Sequence, residues 1–138
     1  MGGATPFIIA VLIVGVMILV AMMMTKKRSY HFNKEKYQTR FLAIENGLNK
    51  NNSATFMKTV IDGDKLLDKA MVEMGIPGKT MGDRLKHSKE KFSDINAVWR
   101  AHKLRNALAH ESDLEITYRQ AQVAMAIYKK ALKELGAI

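Results

Sequence analysis

The sequence predicts an all-α protein with one N-terminal transmembrane helix followed by an up-down bundle of four helices. Three observations lead to this prediction. The first 24 residues carry no charged side chain, so all 22 Lys and Arg and all 13 Asp and Glu lie in residues 25–138. The later residues show apolar side chains at helical spacing and no strand-like alternation. The only prolines are Pro6 and Pro77, which leaves long stretches free to form helices.

Residues 1–24 are predicted to form a membrane anchor, with the span at residues 7–24. These residues read FIIAVLIVGVMILVAMMM, an uninterrupted apolar run. As a helix the run is about 27 Å long, close to the hydrocarbon thickness of a bilayer. A cleavable signal peptide normally has a basic N-terminal region and a small-residue cleavage site. This N-terminus is the uncharged MGGATP and the run ends in Met residues, so we expect the segment to remain in the mature protein.

A short basic linker, residues 25–32, follows the span and predicts its orientation. Lys26, Lys27 and Arg28 come almost directly after the apolar run, and no basic residue precedes it. Because basic residues concentrate on the cytoplasmic side of a span, the N-terminus should lie outside and the C-terminal domain at the inner face of the cytoplasmic membrane. The three cations also attract anionic lipid headgroups, by about 1 kcal/mol each. The absence of cysteine fits a reducing compartment and excludes disulfides.

The bundle is predicted for residues 33–138, and its first two helices have recognisable boundaries. Asn33 is a suitable N-cap for the first. That helix carries one apolar stripe, formed by Tyr37, Phe41, Ile44 and Leu48. An Asn-rich tract then interrupts the pattern, and Ser53 can cap the second helix, which the segment 75-GIPG-78 ends.

Three further capping residues mark the remaining helices. Thr80, with an acid three residues later, predicts a short helix or a single turn. Asp94 begins a third long helix that runs to about His110. Thr117 and Gln120 form a capping box for the fourth, which ends at Gly136. Four amphipathic helices joined by short connections are best accommodated by an up-down four-helix bundle.

The third long helix has a second face in addition to the one expected in the core. The core face holds Ala97, Val98, Ala101, Leu104 and Leu108. On the other, His102, Asn106 and His110 are spaced i, i+4, i+8, so their side chains lie along one line. Arg105 borders that line, beside Trp99, the only tryptophan in the chain. Four polar side chains are therefore expected to converge on one patch.

This combination of side chains suits a phosphodiester substrate. An arginine grips phosphate oxygens with a planar, permanently charged fork. A histidine can move a proton to or from a ribose 2′-hydroxyl or a leaving oxygen. The candidate roles are phosphate binding for Arg105, general acid–base catalysis for His110 and orientation for Asn106. The motif region contains no His, Asp and Glu set with the spacing of metal ligands, so we expect no metal ion or other cofactor.

The hexapeptide from Arg105 to His110 resembles the R-x4-6-H signature of the HEPN superfamily, small helical bundles that carry this motif late in the third long helix. Catalytic members include toxin ribonucleases and the type VI CRISPR effectors, which cut RNA without a metal ion. The resemblance implies a metal-independent endoribonuclease whose site is completed by a homodimer. Residues 99–112 and 115–138 are also similar to small membrane-anchored proteins of candidate-phyla bacteria. Many toxin members have a Tyr two residues after the motif His, where this chain has Ser112.

The same residues are also compatible with a non-catalytic module that recruits a partner or RNA to the inner membrane face. Arg105 has Glu111 and Asp113 nearby in sequence as possible ion-pair partners. His102, next to Trp99, fits a buried supporting position better than a catalytic one. The net charge of +9 suits a polyanion such as RNA and equally an acidic membrane surface.

The acidic run in the second helix is expected to be structural. Asp62, Asp64 and Asp68 alternate with Lys65 and Lys69. Charges of opposite sign at such spacings usually form a solvated face with ion pairs.

Overall fold

A computed structural model describes residues 2–24 and 30–138. Within these residues the chain forms six α-helices, one 3-10 turn and no β-strand, which confirms the all-helical prediction. The helices are α1 (Ala4–Met24), α2 (Lys34–Asn46), α3 (Ala54–Glu73), α4 (Met81–Lys86), α5 (Ile95–His110) and α6 (Tyr118–Leu135). The 3-10 turn covers Lys89–Lys91. Lys26, Lys27 and Arg28, the predicted membrane-surface cluster, lie outside the described residues.

The chain divides into two units, Met1–His31 and Phe32–Ile138. The first unit contains α1, a helix of 21 residues with no buried side chain. In the part of the chain that the structure describes, α1 is the one helix long and apolar enough to cross a membrane. A membrane anchor and an N-terminal signal sequence both have these properties.

The second unit is built around α3, which packs against α2, α5 and α6. α5 also contacts α6 and the short α4. α3 can hold this central position because it presents apolar side chains on several sides, and Val60, Leu67 and Met71 are fully buried. The facing helix α6 contributes Tyr128 and Leu132, which are also fully buried.

Local capping explains where most helices begin. The side chains of Asn33, Asp94 and Thr117 accept hydrogen bonds from the third residue that follows, at 2.9–3.1 Å. Thr80 and Asp83 form a reciprocal capping box, and the hydrogen bonds from Thr80 lower the pKa of Asp83 below its ordinary value. These four predicted caps are confirmed.

The cap predicted for α3 is different. Ser53 precedes the helix, but its side chain makes no capping hydrogen bond. Its backbone already has helical angles, whereas a capping residue normally has an extended conformation. The neighbouring Asn52 accepts the hydrogen bond of the Ala54 N–H instead, at 3.1 Å.

Gly63 allows α3 and α6 to approach closely. A β-carbon at this position would lie 2.6 Å from Cδ2 of Tyr128. The Gly63→Ala variant should therefore lower the free energy of unfolding by about 1–3 kcal/mol, because the buried ring has no room to move. Urea titration of Gly63→Ala and Gly82→Ala provides the comparison, since a β-carbon at Gly82 meets nothing closer than 3.6 Å. Equal midpoints for the two variants would contradict the expected clash.

Candidate functional site

The predicted site residues lie together in one groove between α3, α4 and α5, with a volume of about 750 Å³. α5 contributes Trp99, His102, Lys103, Arg105, Asn106 and His110 to its wall. α5 presents this wall because its opposite side, including Val98, Ala101 and Leu108, is buried in the core. All five α5 side chains singled out from the sequence are thus on the same groove.

At the base of the groove lies Asp64, a residue of α3 that is only 3% exposed. His102 Nδ1 is 3.0 Å from Asp64 Oδ1, and Arg105 Nε is 3.5 Å from Asp64 Oδ2. A carboxylate accepts hydrogen bonds, so His102 donates through Nδ1. One buried acid therefore contacts two of the polar side chains on α5.

The contacts around Asp64 form a closed ring of side chains. His102 Nε2 is left as an acceptor for Asn106 Nδ2, which lies at 3.2 Å. Arg105 Nη1 donates to Asn106 Oδ1 at 3.0 Å, and the Arg105 guanidinium returns to Asp64. Each member has two neighbours in the ring, so the orientation of Arg105 depends on all of the others.

The two residues assigned to catalysis differ in how they are held. The Arg105 side chain is 26% exposed, and its Nη2 donates no hydrogen bond to a described residue. His110 is the last residue of α5, is exposed and makes no hydrogen bond with any described side chain. The groove thus combines a fixed cation with an imidazole that is accessible to a ligand.

The acidic run of α3 is only partly the solvated face that the sequence predicted. Asp62 does form an exposed ion pair with Lys58 one turn away. Asp64 is buried, so the prediction was wrong for this residue. Asp68 pairs with Arg84 of α4 through two hydrogen bonds of 2.7 and 2.9 Å, rather than with a lysine of its own helix.

Sequence reasoning missed Asp64 although a signal was present. Val60, Asp64, Leu67 and Met71 are spaced i, i+4, i+7, i+11 and so share one helical face. A carboxylate within an apolar stripe indicates a buried polar partner. Arg105 pairs with this acid of another helix, and not with Glu111 or Asp113.

Tyr128 of α6 contacts Asp64 from the core side. Its hydroxyl donates to the Ala101 carbonyl oxygen at 3.1 Å and lies 3.4 Å from Asp64 Oδ1. Burial, and then the charge of Asp64, raise the pKa of Tyr128 above its ordinary value of 10.0. The phenol is therefore held in its neutral, donating form.

The Tyr128→Phe variant should be less stable than the wild type by about 1 kcal/mol at neutral pH, because the Ala101 carbonyl loses its donor. Since the folded-state pKa is raised, the stability linked to the neutral phenol is fully present below pH 10.0 and is lost progressively as the pH rises from 10.0 towards the folded-state pKa. Urea titrations at about pH 8 and about pH 11 should show a steeper loss for the wild type than for Tyr128→Phe. Parallel losses would contradict this linkage.

Two other features of the described part of the chain bear on its chemistry. In residues 2–24 and 30–138, no three His, Asp or Glu side chains are grouped as metal ligands. A second groove of about 330 Å³ lies between α5 and α6. It is lined mainly by apolar side chains and contains none of the motif residues Arg105, Asn106 or His110.

Comparison with known proteins identifies no relative, because no family model, curated protein or solved structure matches the chain significantly. The resemblance to HEPN domains therefore rests on the residues from Arg105 to His110 and on their helical setting. Function is inferred from the groove itself.

Proposed function

We propose that this protein is a membrane-anchored, HEPN-like endoribonuclease that cleaves RNA without a metal ion. The observation that supports it most is the placement of Arg105, Asn106 and His110 on one accessible groove of about 750 Å³. A groove of this size accommodates one or two nucleotides of a single strand. The reaction proposed for this groove is an intramolecular transesterification.

In the proposed reaction, His110 accepts the proton of the ribose 2′-hydroxyl, and the 2′-oxygen forms a bond to the adjacent phosphorus. Arg105 stabilises the added negative charge on the phosphorane, through the Nη2 that no described residue engages. The bond from phosphorus to the 5′-oxygen then breaks, and that oxygen takes up the proton. The products are a 2′,3′-cyclic phosphate and a 5′-hydroxyl. Asn106 holds the guanidinium in place throughout.

The proposed function also implies a particular arrangement of the helices and the pairing of two chains. The four long helices of the second unit, α2, α3, α5 and α6, would form an up-down bundle of the HEPN type. Pairing of two copies would place two motif grooves side by side. The net charge of +9 favours association with an RNA backbone.

The test is incubation of the full-length chain, in detergent micelles, with end-labelled single-stranded RNA in the presence of EDTA. We expect cleavage and fragments that end in a 2′,3′-cyclic phosphate. The absence of cleavage by a folded sample, or fragments with a 3′-hydroxyl, would overturn the proposed mechanism.

The location at the inner membrane is supported by α1 and by the position of the basic residues that follow it. Deletion of residues 1–24 should move nearly all of the protein from the membrane fraction to the soluble fraction, because α1 supplies a full-length apolar span. Fractionation with an alkaline wash, followed by blotting against a C-terminal tag, measures this. A shortened mature chain in the wild type would identify α1 as a cleaved signal sequence instead.

A second candidate function is a module that recruits a partner or RNA to the inner membrane face without cutting it. The observation that favours it is the engagement of Arg105 by Asp64 and Asn106, which occupies part of the guanidinium before any ligand binds. RNA that the folded wild-type protein binds but does not cleave would support this function over catalysis.

A further inference from the structure

The groove contains an aromatic side chain that the proposed cleavage reaction does not use. Trp99, the only tryptophan of the chain, is half-buried and lines the same groove as Arg105 and Asn106. Its ring meets that of His102 edge-on, with centroids 6.1 Å apart. Because His102 is held by Asp64 and Asn106, it supports the indole from one side. The indole thus packs against a histidine that belongs to the same ring of contacts as Arg105.

The neighbouring helix α4 leaves space next to the indole ring of Trp99. Gly82 lies inside this six-residue helix, where glycine is less favourable than alanine. A β-carbon at this position would lie 3.6 Å from Cη2 and 3.8 Å from Cζ3 of Trp99. These are ordinary contact distances, so alanine would fit and would cover part of the six-membered ring. The glycine therefore keeps an apolar surface uncovered at some expense to helix stability.

Two cations that form no ion pair within the described part of the chain share the groove with this surface. Lys65 of α3 and Lys103 of α5 are exposed, line the same groove and form no ion pair with a described residue. The three carboxylates that line the groove have partners of their own. Asp64 contacts Arg105, Asp68 binds Arg84, and Asp83 lies 4.0 Å from Lys86. A ligand in this groove thus meets an aromatic ring and two cations that no described carboxylate pairs.

A groove that combines an aromatic ring with cations is the arrangement that binds a single-stranded nucleic acid, with a base stacked on the ring and phosphates beside the cations. A duplex does not fit this arrangement, because its bases are already stacked on one another. We infer that Trp99 is a nucleobase-stacking subsite for single-stranded RNA, and that Lys65 and Lys103 hold the flanking phosphates. This inference rests on the proposed function in that the stacked base belongs to the nucleotide presented to Arg105.

Trp99 also supplies the measurement, since no other tryptophan contributes to the fluorescence of the chain. The full-length protein in detergent micelles is titrated with a 2′-O-methyl oligonucleotide, which binds but cannot be cleaved. We expect its bases to quench the indole fluorescence, and an abasic strand of the same length to bind without quenching. If the anisotropy of a labelled strand showed binding while the indole fluorescence was not quenched, the subsite would be overturned. The absence of binding in both measurements would overturn it as well.

Variants separate stacking from a structural role of the indole. Trp99→Leu should weaken oligonucleotide binding by about tenfold, whereas Trp99→Phe should retain most of the affinity. Gly82→Ala should raise the melting temperature and yet weaken binding, because the added methyl group covers the ring. Gly82→Ala with unchanged affinity would contradict the subsite even if Trp99→Leu failed to fold.

Because the 2′-O-methyl strand cannot be cleaved, the binding result is independent of the result of the cleavage assay. Quenching without RNA cleavage would retain the subsite and remove the proposed catalysis. Cleavage with neither quenching nor an effect of Trp99→Leu would retain the catalysis and remove the subsite.

Discussion

Replacing His110 with alanine should lower the rate of RNA cleavage by about 10²–10⁴-fold, the usual contribution of a general acid–base group. The reason is that His110 is the one motif side chain free to move a proton, since His102 is held between Asp64 and Asn106. His110 is exposed at the end of α5, so its removal should leave the fold intact.

The matched control is His87→Ala. His87 is another exposed histidine, follows the short helix α4 and does not line the groove. Single-turnover cleavage rates of the two variants, measured at equal RNA occupancy, isolate the chemical step. If both variants cleaved at the same rate, His110 would have no part in the reaction.

Arg105→Lys adds an independent measurement on the same step. Lysine keeps the positive charge but loses the planar fork that contacts Asn106 and Asp64 together. We expect the cleavage rate to fall by about 10²–10³-fold, as for other groups that stabilise transition-state charge. A decrease confined to RNA affinity would instead assign Arg105 to binding.

The second large effect is expected in stability, from Asp64→Ala. His102, Arg105 and Tyr128 all lie within 3.5 Å of this buried carboxylate, and they would lose it together. Removal of one partner from a buried ionic network lowers the free energy of unfolding by about 3–5 kcal/mol. Urea titration followed by the fluorescence of Trp99, which lies beside His102, measures the loss close to the site.

Asp62→Ala is the control for that experiment. Asp62 precedes Asp64 by two residues on α3, but its one ion pair with a described residue is the exposed pair with Lys58. Exposed pairs of this type contribute about 0.3–0.5 kcal/mol. If the two variants differed by less than about 1 kcal/mol, the ring around Asp64 would not hold the site together.

Most of the helical framework was predictable because its signals are local. The caps at Asn33, Asp94 and Thr117 act within three residues of themselves, and the structure confirms them. The prediction at Ser53 was wrong because the adjacent Asn52 competes for the same helix start. Which of two adjacent residues caps a helix depends on their backbone angles, and capping preferences alone do not specify those angles.

The sequence by itself determined the apolar N-terminal helix, most of the helix boundaries and the line of His102, Asn106 and His110 along α5. Each of these depends on residues within a few positions of one another, where helical geometry alone sets the spacing. Only the tertiary structure decided that Asp64 would be buried against that line and that Asp68 would pair with Arg84. Asp64 and His102 are 38 residues apart, so their contact depends on how α3 packs against α5. Asp64 becomes buried, and so joins the ring of contacts, only when α3 and α5 pack together.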